Sequence, residues 1–339
     1  MSLKTKKIAI WTSVMIFLMI IALGLYYVVA IYKGLDSFSK EQEDSPFYEV
    51  KASEEHVIEP PKWAGKEPVN ILLMGVDARG LKKGEVPRSD SMMVVSLDPV
   101  RESIHVLSIL RDTYTDIPEH GKNRINTAIT HGPKTAMNTV SELLGIPIQF
   151  YVYTDFQGFI KLVDAVGGVD FYVEKDMNYE SKADNYEYDI NLKEGQQHLD
   201  GKTALQYVRF RHDAMSDYSR TKRQRELMNE IVEQMKNTTS LVKLPVILEE
   251  VSPYIDTNLS VNDMWKLASV GYQSKIESNE QIPPMKLLKE TYVGRAAVLA
   301  VTSNLHLKEY VRDLLESNPV DTVETEQKAM TNEEIHQDK

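Results

Sequence analysis

Residues 8–32 carry no charged side chain, and Lys4, Lys6 and Lys7 stand directly before them. About 20 apolar residues are enough for a helix to cross a hydrocarbon layer of roughly 30 Å. The run therefore predicts a membrane-spanning helix, and the lysines predict a cytoplasmic N-terminus with the rest of the chain outside. A cleaved signal peptide would have a shorter apolar core, about 7–15 residues, followed by a small-residue cleavage site. The length favours an uncleaved anchor. The expected segments are a cytoplasmic start at 1–7, the span at 8–32, a stalk at 33–67, one folded domain at 68–317 and an acidic, disordered tail at 318–339. The stalk is polar and acidic, with prolines at 46, 60 and 61, and should lift the domain off the membrane.

An outward-facing domain narrows the chemistry. The formal net charge of -11 argues against a general nucleic-acid binder, which usually presents a basic surface, so any site for a polyanion has to be a local basic patch. Cysteine is absent, which excludes disulfides and thiolate metal sites.

Within the domain, 69–76, 92–97 and 104–109 are short apolar runs bounded by polar turns and read as buried strands, with Lys82, Lys83 and Gly84 in the first connecting loop. Pro133 should open a helix that Gly145 closes. A strand at 148–153 follows, then a helix at 155–166 capped by Thr154, and a strand at 169–173. A polar excursion at 174–201, a short helix at 202–207 and a long one at 217–236 complete the pattern, with further helices near 241–251, 261–272 and 307–315. This alternation predicts an α/β fold, a central mixed sheet with helices packed on its faces. The apolar stripe Leu227, Ile231 and Met235 either closes an ordinary core or lines a slot.

Charged residues collect at the strand ends. Asp77 ends the first strand and Asp90 precedes the second, while Arg88 and Arg111 sit at strand ends too. Arg209 and Arg211 share a face if extended, and Arg220, Arg223 and Gln224 share the side of one helix near its N-terminus. Guanidinium groups converging without matching carboxylates make sense around an anion, because an arginine fork binds phosphate oxygens bidentately. Two aspartates with water and phosphate oxygens suit Mg²⁺. The combination suggests acids that hold a metal and bases that hold a diphosphate. The bland alternative is a set of surface ion pairs worth about 0–1 kcal/mol each. GxxxxGK[ST], HExxH and GxSxG are all absent.

The stretches NILLMGVDAR, PRSDSMMV, VLSILRDTY, KNRINTAITHGP, RFR and SDYSRTKRQRE, in this order behind one N-terminal span, resemble the LytR-CpsA-Psr family. The resemblance implies a membrane-anchored phosphotransferase of Gram-positive type. Such an enzyme moves a teichoic acid or capsular glycopolymer from a polyprenyl-pyrophosphate carrier onto peptidoglycan, using Mg²⁺ or Mn²⁺ and no nucleic acid. It implies that Asp77 and Asp90 bind the metal. Arg88, Arg111, Arg209, Arg211, Arg220 and Gln224 would contact the pyrophosphate. Arg111 and Asp112 are the catalytic candidates, and Arg79, Asp217 and Arg223 fall in charged motifs with less defined roles. Leu110 stands where many members have proline. A polyprenyl-pyrophosphate hydrolase, a wall-associated regulator and a non-catalytic wall-binding module are the competing readings.

Overall fold

The computed structural model describes residues 3–38, 45–51, 62–79, 85–180, 189–211 and 217–316. The expected tail at 318–339 and the loop residues Lys82, Lys83 and Gly84 lie outside them. Helix α1 (Leu3–Asp36) contains the apolar run; its stretch Ile10–Asp36 is long and apolar enough to cross a membrane, and only 6% of its most apolar part is buried against the protein. A four-residue helix, α2 (Tyr48–Lys51), follows.

The central sheet takes its middle strands from the apolar runs. It comprises β1 (Val69–Val76), β2 (Ser89–Asp98), β3 (Ser103–Ile109), β6 (Phe150–Asp155), β11 (Ile255–Thr257) and β12 (Lys275–Ile282) in the order β11-β6-β1-β2-β3-β12. Strands β1–β6 and β3–β12 pair in parallel and the other neighbours antiparallel, so the sheet is mixed. Strands β4 (Thr113–Ile117) and β5 (Gly121–Arg124) join β13 (Leu288–Val293) and β14 (Ala296–Val301) in a second sheet.

Because alternate strand residues face opposite sides, the sheet feeds two cores. On one face Leu72, Val94, Leu107 and Tyr151 pack with α3 (Pro133–Leu144) and α9 (Asn304–Glu316). Gly145 closes α3 at φ 74°, in the left-handed region that glycine enters at no steric cost. On the other face, Trp63, Leu97 and Ile104 pack beside α8 (Val261–Gln273), and Met93, Leu73 and Val152 form a row across three strands. Four helices cover the rest of that face: α4 (Phe156–Ala165), α5 (Gly201–Arg209), α6 (Asp217–Lys236) and α7 (Thr238–Val251). The cap of α4 is Asp155, whose carboxylate accepts from the Gly158 amide at 2.9 Å; the expected Thr154 does not cap it. A Cβ on Gly201, at the start of α5, would fall 2.2 Å from the Ile160 carbonyl oxygen, so glycine lets α5 sit tightly on α4.

The polar excursion holds more structure than its composition suggests. Strands β7 (Val169–Val173) and β10 (Gly195–Leu199) pair, as do β8 (Met177–Tyr179) and β9 (Ile190–Leu192), around a small core of their own. Leu227 and Ile231 of α6 are buried in it, so of the two readings of this stripe the closed core holds.

Of the segment expected to be a stalk, the described residues Phe38, Phe47 and Trp63 are buried instead of standing clear of the domain. Phe47 is fully buried in the main core, edge-on to Tyr151 and Tyr153 at 6.4 and 4.8 Å between ring centroids. Aromatic pairs add about 0.5–1.5 kcal/mol beyond burial. Phe47→Leu should therefore destabilise the full chain by about 1–2 kcal/mol, read as a lowered midpoint in thermal unfolding in detergent.

Candidate functional site

Strand ends position the charged groups, and one irregularity aims the most important of them. Gly75 pairs with Ser91 but Val76 pairs with Ser89, so Asp90 is the extra residue of a β-bulge. Bulges re-aim side chains and leave a backbone group without its ladder partner. Arg220, only 2% exposed, takes that vacancy: its Nη2 donates to the Asp90 carbonyl oxygen at 3.1 Å. One turn on, Gln224 Oε1 accepts from the Ser91 hydroxyl at 3.0 Å. The first turns of α6 are thus stapled to the start of β2.

A cavity of about 520 Å³ lies between this face of the sheet and the covering helices. Asp77, Asp90, Arg111, Arg209, Arg211, Arg220 and Gln224 line it where the strands end. Met93, Leu73 and Val152 from the strand middles, with Phe159, Leu162 and Met228, make the remainder apolar. Met228 extends the spacing Arg220–Gln224–Met228 along α6, which replaces the expected stripe as that helix's contribution.

Carboxylates sit among the guanidinium groups, contrary to the expectation of unmatched cations. Arg111 donates to Asp90 at 2.5 Å and lies 3.4 Å from Asp217 and 3.8 Å from Asp112. Arg211 lies 3.6 Å from both Asp90 and Asp217, Arg220 3.2 Å from Asp217, and Arg124 3.2 Å from Asp112. Four guanidinium groups share three carboxylates, so positive charge is left over. Arg111 Nε, Arg220 Nε and Asp217 Oδ2 are buried and make no hydrogen bond within the described residues. The cluster is not saturated: the two Nε–H groups are donors without an acceptor among the described residues.

The remaining expected residues divide. Asp77 holds Arg79 through three contacts: its carboxylate accepts from the side chain at 2.7 and 2.5 Å and from the backbone amide at 3.2 Å. Arg79 and Arg209 both lie over the Phe156 ring, at 5.5 and 5.0 Å from its centre, and this aromatic shelf has no signature in the charged motifs. Arg209 ends α5, so it is helical where an extended pair with Arg211 was expected. Arg88 is exposed and does not line the cavity; nor does Asp112, which stands behind Arg111. Arg223 points away: its Nη1 meets Glu174 at 3.1 Å and its Nη2 donates to the Phe210 carbonyl at 2.5 Å. Residues three apart on a helix differ by about 60° in direction, enough to send Arg220 and Arg223 to different sides. Arg223 still serves the site, because it holds the residue before Arg211.

Burial shapes the titration of the cluster. Asp77 stays below the usual carboxylate range: burial pushes it up, but hydrogen bonds and charge from Arg79, with the charge of Arg209, outweigh that. Arg111 is raised, since Asp217, Asp90 and Asp112 together exceed the effect of its own burial. Arg211 is lowered by burial and by the like charge of Arg111. Asp217 is raised because burial disfavours its anion more than Arg111 and Arg211 favour it. Activity that needs an ionised Asp217 to hold three arginines should fall as pH drops through its raised pKa, and Asp217→Asn should show a low rate without that step. Stability runs the other way. A folded pKa above the unfolded one makes a contribution present at low pH and lost as pH rises through the folded value. A pH–rate profile and pH-dependent melting of both proteins separate the two effects.

The profile of the LytR_cpsA_psr family matches residues 26–309. A curated relative from Bacillus mycoides, named polyisoprenyl-teichoic acid--peptidoglycan teichoic acid transferase TagU, is 34% identical over 280 residues, covering 82% of this chain and 87% of the relative. The regulatory protein MsrR of Staphylococcus aureus is 30% identical over 302 residues, covering 87% and 86%. Among solved structures, TagT, known also from B. subtilis in a structure of its own, has been determined bound to LI-WTA. The bound form superposes with a TM-score of 0.60 at 27% identity, over 75% of this chain and 92% of that one.

Proposed function

The chain belongs to the LytR-CpsA-Psr family, and from that premise we propose that it is a membrane-anchored phosphotransferase moving a glycopolymer from a polyprenyl-pyrophosphate carrier onto peptidoglycan. The observation that carries this reading is the two-part cavity: arginines and aspartates at the strand ends, apolar side chains for the rest of its length. A polyprenyl pyrophosphate has the same two-part chemistry. The name of the TagU relative and the wall-polymer complex of TagT support the same donor and acceptor. Helix α1 would be the single anchor, with the domain on the outer face of the membrane.

In this reading Arg111, Arg211 and Arg220 grip the phosphate oxygens, exchanging part of their contact with Asp90 and Asp217 for the substrate. Arg209, stacked on Phe156, closes the other side, and Asp112 holds Arg111 in place. A hydroxyl of a muramyl residue attacks the phosphorus that carries the glycan. A new phosphorus–oxygen bond forms, the bond to the bridging oxygen breaks, and polyprenyl phosphate leaves with that oxygen. The hydroxyl proton passes to a carboxylate at this end of the cavity. Charge grows on the phosphate oxygens along the way, so fixed guanidinium groups contribute most where the barrier lies.

Asp77 and Asp90 fit a divalent cation. They offer only oxygen ligands, stand directly after β1 and within the neighbouring β2, and line the same cavity, and Mg²⁺ is commonly bound by one or two carboxylates with water and substrate phosphate completing its shell. Bound there, Mg²⁺ or Mn²⁺ would supply neutralisation of phosphate charge.

The test is product analysis of the purified full chain with a lipid-linked donor, with and without peptidoglycan. Transfer yields a glycan–phosphodiester product only when the acceptor is present. Equal turnover of donor without acceptor would make the protein a hydrolase and overturn the proposal.

A further inference from the structure

Helix α7 packs along the outer part of α1, and the depth of that contact can be counted. If the hydrocarbon layer begins at Ile8, directly after the lysines, about 20 residues at 1.5 Å each bring α1 to its far boundary near Tyr27. Tyr26 and Tyr32, 75% and 55% exposed, flank that level as interfacial aromatics do. The Tyr27 hydroxyl donates to the Leu241 carbonyl oxygen, in the first turn of α7. Seven residues farther along both helices, Gly34 meets Leu248, where an added Cβ would fall 2.9 Å from the Leu248 Cβ. The two helices therefore rise together, with Leu241 level with the boundary, Leu248 about 10 Å above it and the end of α7 at Val251 about 15 Å above it.

The exposed residues of α7 change character along this rise. After the exposed Thr238 and Thr239 at its very start, Leu241, Val242 and Val246 are exposed in the first three turns, at 39, 68 and 53%, while Glu249 and Glu250 are exposed in the last. On the opposite side, Ile247 and Val251 are buried against Val166. Exposed apolar residues at the end nearer the boundary, with carboxylates confined to the far end, match a helix tilted into a lipid surface. Lys33 and Lys243, both exposed, sit at the height of lipid headgroups, where cations are attracted to anionic lipid.

From these observations we propose that the first three turns of α7 lie in the outer leaflet beside α1, as a second, interfacial membrane contact through Leu241, Val242 and Val246. The contact rests on α1 spanning the membrane. It ties the catalytic domain to the surface that holds the donor, because α7 also reaches the cavity wall through Val251. The domain does not swing on a tether.

The cysteine-free chain makes the test direct. Full-length Val242→Cys and Val246→Cys proteins are labelled with an environment-sensitive nitrobenzoxadiazole dye and reconstituted into phosphatidylethanolamine–phosphatidylglycerol vesicles containing a nitroxide lipid. Leu18→Cys, in the middle of the span, and Tyr292→Cys, 75% exposed on the hairpin of β13 and β14, are the references. The expected result is blue-shifted emission and nitroxide quenching at 242 and 246, as at 18 and unlike 292. Quenching at 18 with water-like behaviour at 242 and 246 overturns the interfacial contact and leaves the anchor standing. A water-like signal at 18 removes the anchor and the proposal with it. Shielding at 242 that grows with protein density but ignores the nitroxide lipid means a second copy covers the face, and also overturns the proposal.

Discussion

Arg111→Ala should lower the rate of glycopolymer transfer by about 10²–10³, the range seen when one preorganised stabiliser of transition-state charge is removed. Arg111 is placed for this more directly than any neighbour. It lines the cavity, touches Asp90 at 2.5 Å and lies within 4 Å of Asp217 and Asp112 as well. Its raised pKa keeps it cationic at any working pH. The side chain is 24% exposed, so folding should survive the change. Most of the loss should appear in kcat, because an interaction that strengthens in the transition state affects the chemical step more than donor binding. Arg111→Lys should recover part of the rate, since it restores the charge but not the planar fork. Steady-state assays over a range of donor concentrations check this, and an alanine variant with unchanged kcat would remove Arg111 from the chemistry.

Val152→Trp should have the other large effect, on binding and not on chemistry. Val152 sits in the row with Leu73 and Met93 on the cavity floor. An indole there fills space that the hydrocarbon tail would occupy. Each buried CH₂ is worth about 0.8 kcal/mol, so excluding three or four should weaken donor binding by about 50- to 200-fold. A donor trimmed to two isoprene units should bind the variant and the natural chain about equally. Titration with long and short donors separates a blocked slot from a damaged fold, which would weaken both.

The apolar strands and the amphipathic helices were legible because burial imposes its period on the residues. Strands β1 and β3 and helix α6 fall where the patterns of 69–76, 104–109 and 217–236 place them. Strand β12, Lys-Ile-Glu-Ser-Asn-Glu-Gln-Ile, escaped because it lies at the sheet edge, where its exposed side chains need no apolar alternation. The members of the site were readable as charges at strand ends, but their geometry was not. The bulge that turns Asp90 inward is a matter of register between two strands, and no local pattern encodes it. The separation of Arg220 from Arg223 depends on which side of α6 meets the sheet. The stripe of Leu227 and Ile231 could not be assigned to core or slot, because burial against protein and burial against a ligand look alike in sequence. Phe156 went unnoticed because an aromatic residue opening an apolar helix reads as core; its use as a shelf for Arg79 and Arg209 shows only in three dimensions.

Native mass spectrometry of the full chain, released from membranes in mild detergent, tests most directly whether a diphosphate headgroup and its tail share this one cavity. The account predicts an adduct with the mass of a polyprenyl pyrophosphate, lost in an Arg211→Ala, Arg220→Ala double variant that still melts cooperatively, and depleted in Val152→Trp. A chain that emerges without such a lipid and takes up none when it is supplied, or an adduct equally abundant in both variants, would contradict it.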